Sequence, residues 1–267
     1  MKITVLGSGT SHGIPVIGCR CKVCTSADSR DERMRAALYI EGNSGEALVI
    51  DTGPDFRRQA LRAGIAKLDA VFLTHDHADH LHGLDDVRPL SREEPLPVYG
   101  NERTIADLKE RFSYIFRETQ QGGGKPRIIP REVTGPVQIG GLCLSPLPVM
   151  HGTLEILGWK VQQAPDSPAL VYLTDTNAIP EATWPLIGRP EILIIDGLRL
   201  RPAETHFSIP EALDAAAKTG ARRTYLTHIC HDLSHAEIEE YCCSYRKEHH
   251  PEEMVMEPAY DGLQLTV

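Results

Sequence analysis

The sequence predicts a layered fold of the α/β (α+β) class, and two observations predict it. Short apolar runs recur along the chain, and each has the length of a β-strand. Segments with helical spacing follow several of these runs, an order that packs helices onto sheets. No fixed-period repeat and no Pro- or Ser-rich linker divides the 267 residues. We therefore expect a single domain over residues 1–267.

The individual elements follow from the same patterns. Residues 1–7 are predicted to form a strand that leads into a Gly-rich turn. The other apolar runs are predicted strands at 36–40, 47–50, 70–73, 142–147, 169–173, 192–195 and 224–226, and helical spacing is found at 55–63, 102–112, 208–219 and 234–249. Ser208, Pro210 and Glu211 have the order of a helix start. Residues 120–126 are Gly-rich and are predicted to form a surface loop or a lid.

Charge and hydrophobicity exclude two classes of partner. The formal net charge is −9, and no block of like charges forms a basic face. Broad capture of nucleic acid is therefore not expected, although a small basic pocket for one phosphate is compatible with this composition. No apolar run reaches the length of a membrane span, and the N-terminus lacks a signal-peptide pattern. We expect a cytoplasmic protein with no membrane partner.

The chemistry is concentrated directly after the predicted strand at 70–73. His75, His77, Asp79 and His80 place three imidazoles and a carboxylate within six residues. Such nitrogen and oxygen ligands suit zinc, manganese or iron. His82, two residues further on, is interpreted as a non-ligand.

Three more ligand-type residues follow later strands. His151 comes after the run that begins at Leu142, Asp175 after 169–173, and His228 after 224–226. Each is the first good metal ligand after an apolar run, as His75 is after its own strand. Together these residues predict a site with more than one metal ion.

The cysteines divide into a cluster and a scattered remainder. Cys19, Cys21 and Cys24 lie within six residues, and in a cytoplasmic chain such spacing indicates metal before disulfide. A buried cluster without metal is the alternative. The others, Cys143, Cys230, Cys242 and Cys243, are interpreted as ordinary reduced residues.

The motif H-x-H-x-D-H-x-x-G, intact from His75 to Gly83, resembles that of the metallo-β-lactamase superfamily. The resemblance implies a four-layered αββα sandwich with two divalent metal ions at one edge. One metal would bind His75, His77 and His151, and the other Asp79, His80 and His228, with Asp175 as the bridge. Asp51 would support these ligands without binding metal itself.

The N-terminal run from Gly7 to Cys24 is similar to that of the phosphodiesterase branch, and most of all to the PhnP family of cyclic phosphodiesterases. That resemblance implies a structural zinc on Cys19, Cys21, Cys24 and His231. It also implies a catalytic role for His206 near the leaving group, with a polar residue at the start of a helix as the alternative. Arg199 and Arg201 are either phosphate ligands or ordinary surface charges.

We therefore expect hydrolysis of a small phosphodiester, cyclic ribose or nucleotide-like, by water that two manganese or zinc ions ionise. Asp175 and His206 are the predicted catalytic residues. Three alternatives stay open: a tRNase Z-like RNA 3′-end endonuclease, an iron-dependent oxidative enzyme related to the PQQ synthesis protein B, and a non-catalytic metal-binding module. Related enzymes are often homodimers, and the sequence leaves the oligomeric state open.

Overall fold

The computed structural model of the protein describes residues 1–117, 124–249 and 254–267. The first half contains these elements: β1 (Lys2–Gly7), β2 (Ala37–Glu41), β3 (Ala47–Ile50), α1 (Phe56–Ala63), β4 (Ala70–Phe72), α2 (Ala78–Leu81), β5 (Leu96–Gly100), α3 (Glu102–Arg111), α4 (Ser113–Phe116) and β6 (Ile128–Glu132). The second half contains these: β7 (Val137–Ile139), β8 (Leu142–His151), β9 (Leu154–Gln162), β10 (Leu170–Leu173), α5 (Trp184–Ile187), β11 (Ile192–Asp196), α6 (Ile209–Thr219), β12 (Arg223–Thr227), α7 (His235–His249), β13 (Val255–Pro258) and β14 (Gln264–Thr266). Short 3-10 turns lie at Ser29–Asp31 and Leu84–Ser91.

The strands form two seven-stranded sheets. The first has the order β14-β1-β2-β3-β4-β5-β6, and the second has the order β13-β12-β11-β10-β9-β8-β7. β3 to β6 run parallel, and so do β10 to β13, so within each group the carboxyl ends of the strands meet at one edge.

Three apolar clusters separate four layers. One cluster lies between the sheets and joins side chains of both, and in it Phe72 meets Trp159 edge to face with ring centroids 5.0 Å apart. A second cluster lies under α1 on the outer face of the first sheet, and a third lies under α6 and α7 on the outer face of the second sheet. The predicted αββα sandwich is confirmed. The prediction that residues 1–267 form a single domain stays a prediction.

Local sequence signals explain how the helices begin and end. Ser208 and Glu211 exchange the two hydrogen bonds of a capping box, so α6 begins where Ser208 predicts it. α1 ends at Gly64, whose φ of 67° is left-handed and is readily adopted by glycine. Among the described residues, no helix is long and apolar enough to cross a membrane.

Candidate metal centre

The predicted site residues converge at the edge where the parallel strands end. Asp51, Asp175 and His228 each follow a strand, and they are the non-glycine residues with left-handed backbone among those described, with φ of 66°, 55° and 56°. Aspartate and histidine tolerate this conformation better than most residues, but it still costs free energy. The turn at each strand end therefore directs a side chain into the space between the sheets.

His75, His77 and His151 form the first group of donors, and their ligand atoms lie within 4.8 Å of one another. His75 and His151 are buried, and His77 precedes α2. His151 Nδ1 donates to the carbonyl of Thr205 at 2.9 Å, which leaves its Nε2 free to face the other histidines. This group has the three-imidazole composition of a transition-metal site.

Asp79, His80, Asp175 and His228 form the second group, and all four are buried. His80 Nε2 lies 3.1 Å from carboxylate oxygens of both Asp79 and Asp175, and His228 Nε2 lies 3.2 Å from Asp175. Asp175 is also 4.0 Å from His75 Nε2. It therefore stands between the two groups.

The hydrogen bonds of Asp51 explain how these imidazoles are oriented. Its carboxylate accepts from His80 Nδ1, from the backbone N–H of Thr74 and from the Thr74 hydroxyl, each at 2.8 Å. Because that hydroxyl donates to Asp51, it accepts from His75 Nδ1 at 3.0 Å. Both imidazoles thus donate through Nδ1 and direct an Nε2 lone pair into the site.

The buried donor atoms fit a bound cation. Nε2 of His75, His80 and His228 is shielded from solvent and has no hydrogen-bond partner. Acceptor lone pairs and carboxylate oxygens that converge without donors repel one another unless a positive charge lies between them. The residues present are therefore suited to divalent metal ions, which the fold implies.

Burial and neighbouring charges shift the pKa values of the histidines in the site. Burial alone would lower the pKa of His80, but the carboxylates of Asp175, Asp79 and Asp51 raise it well above its ordinary value. Burial dominates at His75, whose pKa is well below its ordinary value. The three carboxylates therefore attract positive charge to the second group of donors.

His206 lies beside both groups. Its ring stacks on His228 with centroids 4.6 Å apart and meets His151 at 4.8 Å. His206 Nδ1 is 2.7 Å from Asp196, a fully buried carboxylate whose pKa burial raises. Sequence reasoning missed Asp196, although it follows an apolar run just as His75, Asp175 and His228 do.

The cysteine cluster forms a separate group of donors. Cys19, Cys21 and Cys24 Sγ each lie 3.4 Å from His231 Nδ1. A tetrahedral zinc ion with ordinary Zn–S and Zn–N bonds separates such atoms by roughly 3.5 Å. All seven cysteines lie among the described residues, and none of them forms a disulfide. The geometry therefore fits a closed Cys₃His site.

The remaining predicted residues lie outside these groups. His82 is exposed and accepts from Arg111 Nη1 at 3.2 Å. Arg201 is paired with Asp232 at 3.3 Å on the surface, and Arg199 is half-buried, with Nη2 3.5 Å from the carbonyl of Pro202. Residues 120–123 of the predicted loop or lid at 120–126 are not among the described residues.

The two-sheet fold and the groups of donors at its edge are those of a protein of the metallo-β-lactamase type. The family model described as beta-lactamase superfamily domain matches residues 47–229. A solved structure described as a new diphosphatase from the PhnP family is 39% identical, with a TM-score of 0.86 over 100% of this chain and 97% of that chain. The chain therefore belongs to the PhnP family of this superfamily.

Other relatives share the fold or part of the sequence. The octanoyltransferase of Porphyromonas gingivalis is 36% identical over 100% of this chain, which spans 52% of that protein. A PQQ synthesis protein B from Methylobacterium radiotolerans is 32% identical over 40% of this chain and 39% of that protein, so the chain spans about half or less of these curated relatives. Zinc-bound PqqB from Methylobacterium extorquens has a TM-score of 0.80 at 17% identity over 100% of both chains. Human tRNase Z, short form, has a TM-score of 0.70 at 16% identity over 100% of this chain and 99% of that chain.

Proposed function

We propose that this protein hydrolyses a small phosphodiester, with two divalent cations held by the two groups of donors that meet at Asp175. His75, His77 and His151 would hold one cation, and Asp79, His80 and His228 the other. The observation that carries the proposal is the position of Asp175, within 4.0 Å of histidines from both groups. Bound there, manganese or zinc ions supply Lewis acidity and lower the pKa of water.

The protein's own residues orient the reaction. The hydrogen bonds of Asp51 and Thr74 fix the imidazoles of His75 and His80 so that their Nε2 atoms would face the two cations. His206 Nδ1 is held on Asp196. When its ring carries both protons, His206 would donate the Nε2 proton to the departing oxygen or hydrogen-bond through it to the charged phosphoryl group. Asp51, His80 and Asp196 are fully buried, which strengthens each of these contacts.

We further propose that Cys19, Cys21, Cys24 and His231 hold one structural zinc ion. The equal sulfur-to-nitrogen distances of 3.4 Å support it, as does the number of protein donors, since four complete a tetrahedral zinc site. Such an ion contributes to folding, since the ligand set exists only in the folded chain.

A diphosphate is the second candidate substrate, because the 39% identical relative is described as a diphosphatase. The same donors and the same histidine suit attack at phosphorus in either an ester or an anhydride. The octanoyltransferase name is not carried over, since about half of that protein lies outside the match.

An activity screen tests the proposal. Protein loaded with manganese or with zinc is assayed on bis(p-nitrophenyl) phosphate, a ribose cyclic phosphate, a dinucleoside diphosphate and a precursor tRNA, with His80→Ala as the inactive control. We expect turnover of a small ester or diphosphate that His80→Ala abolishes. Cleavage of the precursor tRNA alone would favour the tRNase Z-like alternative. Iron in protein purified without added metal, with no turnover of any phosphate, would favour the oxidative alternative.

A further inference from the structure

One buried charge lies outside the site described above. The guanidinium of Arg33 is completely shielded from solvent, and its partner Asp31 is nearly so. Arginine is rarely buried to this extent, because removal of its charge from water costs several kcal/mol. The groups that this guanidinium contacts therefore show what the buried charge holds in place.

The hydrogen bonds of Arg33 meet on a single loop. Nη1 donates to the carbonyl of Cys230 at 2.6 Å, and Nη2 donates to the carbonyl of Leu233 at 3.1 Å. Nη2 also donates to Asp31 at 3.1 Å, and Asp31 in turn accepts from the backbone N–H of His235 at 2.6 Å. The Asp31–Arg33 pair therefore holds the loop on both sides of His231.

The same loop carries donors of two separate groups. His228, with its left-handed φ of 56°, belongs to the group around Asp175, and His231 belongs to the cysteine cluster. The backbone of Arg33 pairs with Ile14, which packs with the cysteine cluster. Arg33 thus touches the segment that carries the cysteines and the loop that carries the histidines.

We infer that Arg33 is a positioning residue that fixes His231 against the cysteines and, through Cys230, sets the position of His228. This inference rests on the proposed metal sites. Without the two carbonyl contacts, the loop could move as a unit away from the cysteine segment. Loss of Arg33 should therefore weaken metal binding at two groups of donors that Arg33 itself does not enter.

Cobalt provides the test, because cobalt bound to thiolates has a charge-transfer absorption that cobalt bound only to imidazole and carboxylate lacks. Metal-free wild-type protein and Arg33→Met are titrated with cobalt. The thiolate–cobalt absorption gives the affinity of the cysteine site, and the absorption of cobalt on imidazole and carboxylate gives the affinity of the site around Asp175. We expect Arg33→Met to lower cobalt affinity by roughly 10- to 100-fold at both sites, the size found when a residue that orients ligands is removed. Arg30→Met is the matched control, because Arg30 likewise pairs with an aspartate two residues earlier, Asp28 at 2.8 Å, but on the surface.

A second variant guards against simple unfolding. Arg33→Lys keeps the charge beside Asp31 but cannot donate to both carbonyls with the geometry of a guanidinium. We expect it to fold, as judged by circular dichroism, and to lose cobalt affinity at both sites by a smaller factor. Wild-type affinity at both sites in a folded Arg33→Met or Arg33→Lys protein would overturn the inference. A wild-type protein without any thiolate–cobalt absorption would instead overturn the proposed cysteine site.

Discussion

Replacement of Asp51 by asparagine should change how His80 is oriented toward a metal ion while leaving the stability of the fold nearly unchanged. The side chain keeps its size, but one oxygen becomes an NH₂ group that faces His80 Nδ1 across 2.8 Å. Two donors cannot share that contact, so His80 must carry its proton on Nε2, where it cannot bind metal. We expect the affinity for one of two metals to fall by roughly 10- to 100-fold, or about 1.4 to 2.8 kcal/mol.

The metal-free protein should respond differently. Burial raises the pKa of Asp51, which means that its charge is costly in the folded state. A neutral amide removes that cost and can still hydrogen-bond to Thr74 and His80 after the tautomer changes. The free energy of unfolding without metal should therefore change by no more than about 1 kcal/mol.

Competition with a chromophoric chelator measures the metal affinity, and thermal unfolding of the chelated protein measures the stability. Asp69→Asn is the matched control, because Asp69 precedes β4 at the opposite end and its carboxylate accepts from the Ala47 N–H at 2.8 Å. It should leave metal affinity unchanged. The reasoning fails if Asp51→Asn binds both metals as wild type does, or if its loss of affinity is matched by Asp69→Asn.

Three further predictions concern separate parts of the molecule. Asp196→Asn should lower kcat by roughly 10²-fold with little change in metal content, because an amide does not stabilise a protonated His206 as a carboxylate does. An unchanged kcat would contradict that role. Cys21→Ser should remove one zinc ion per chain, measured by elemental analysis, and should melt earlier, whereas Cys243→Ser in α7 should do neither. Burial raises the pKa of Asp261 to about 6, so the folded protein keeps a proton that the unfolded chain releases from about pH 4 upward. The free energy of unfolding should therefore fall by about 3 kcal/mol as the pH rises from about 4 to about 6, and equilibrium urea unfolding of Asp261→Asn should lack this slope.

The sequence predicted best where a local signal and the tertiary fold agree. The capping residues place α6 correctly, and the apolar runs at 47–50 and 192–195 coincide with β3 and β11 to within a residue. The predicted donors meet in space because each lies just after a strand, and strands that run parallel end at one edge. Whether these donors bind metal stays a prediction.

The sequence predicted less well where structure depends on distant pairing. β9 (Leu154–Gln162) was not predicted, because it is positioned by nine paired residues of β8 and its own pattern is interrupted by Gly158. Arg33 gave no signal either, because an arginine in a polar segment is usually exposed, and its partners Cys230 and Leu233 lie about 200 positions further along the chain. Asp196 could have been found by applying the strand-end rule to every apolar run.

The left-handed backbone at Asp51, Asp175 and His228 limits which residues can ever replace them. Only glycine, asparagine, aspartate and histidine adopt this conformation at low cost, and a β-branched side chain would add a backbone penalty of about 1–3 kcal/mol. Asp175→Val would therefore lower both activity and stability, so the two effects could not be told apart. Asp175→Asn keeps the backbone conformation and would separate them. For the same reason, most substitutions at these three positions should give a less stable protein.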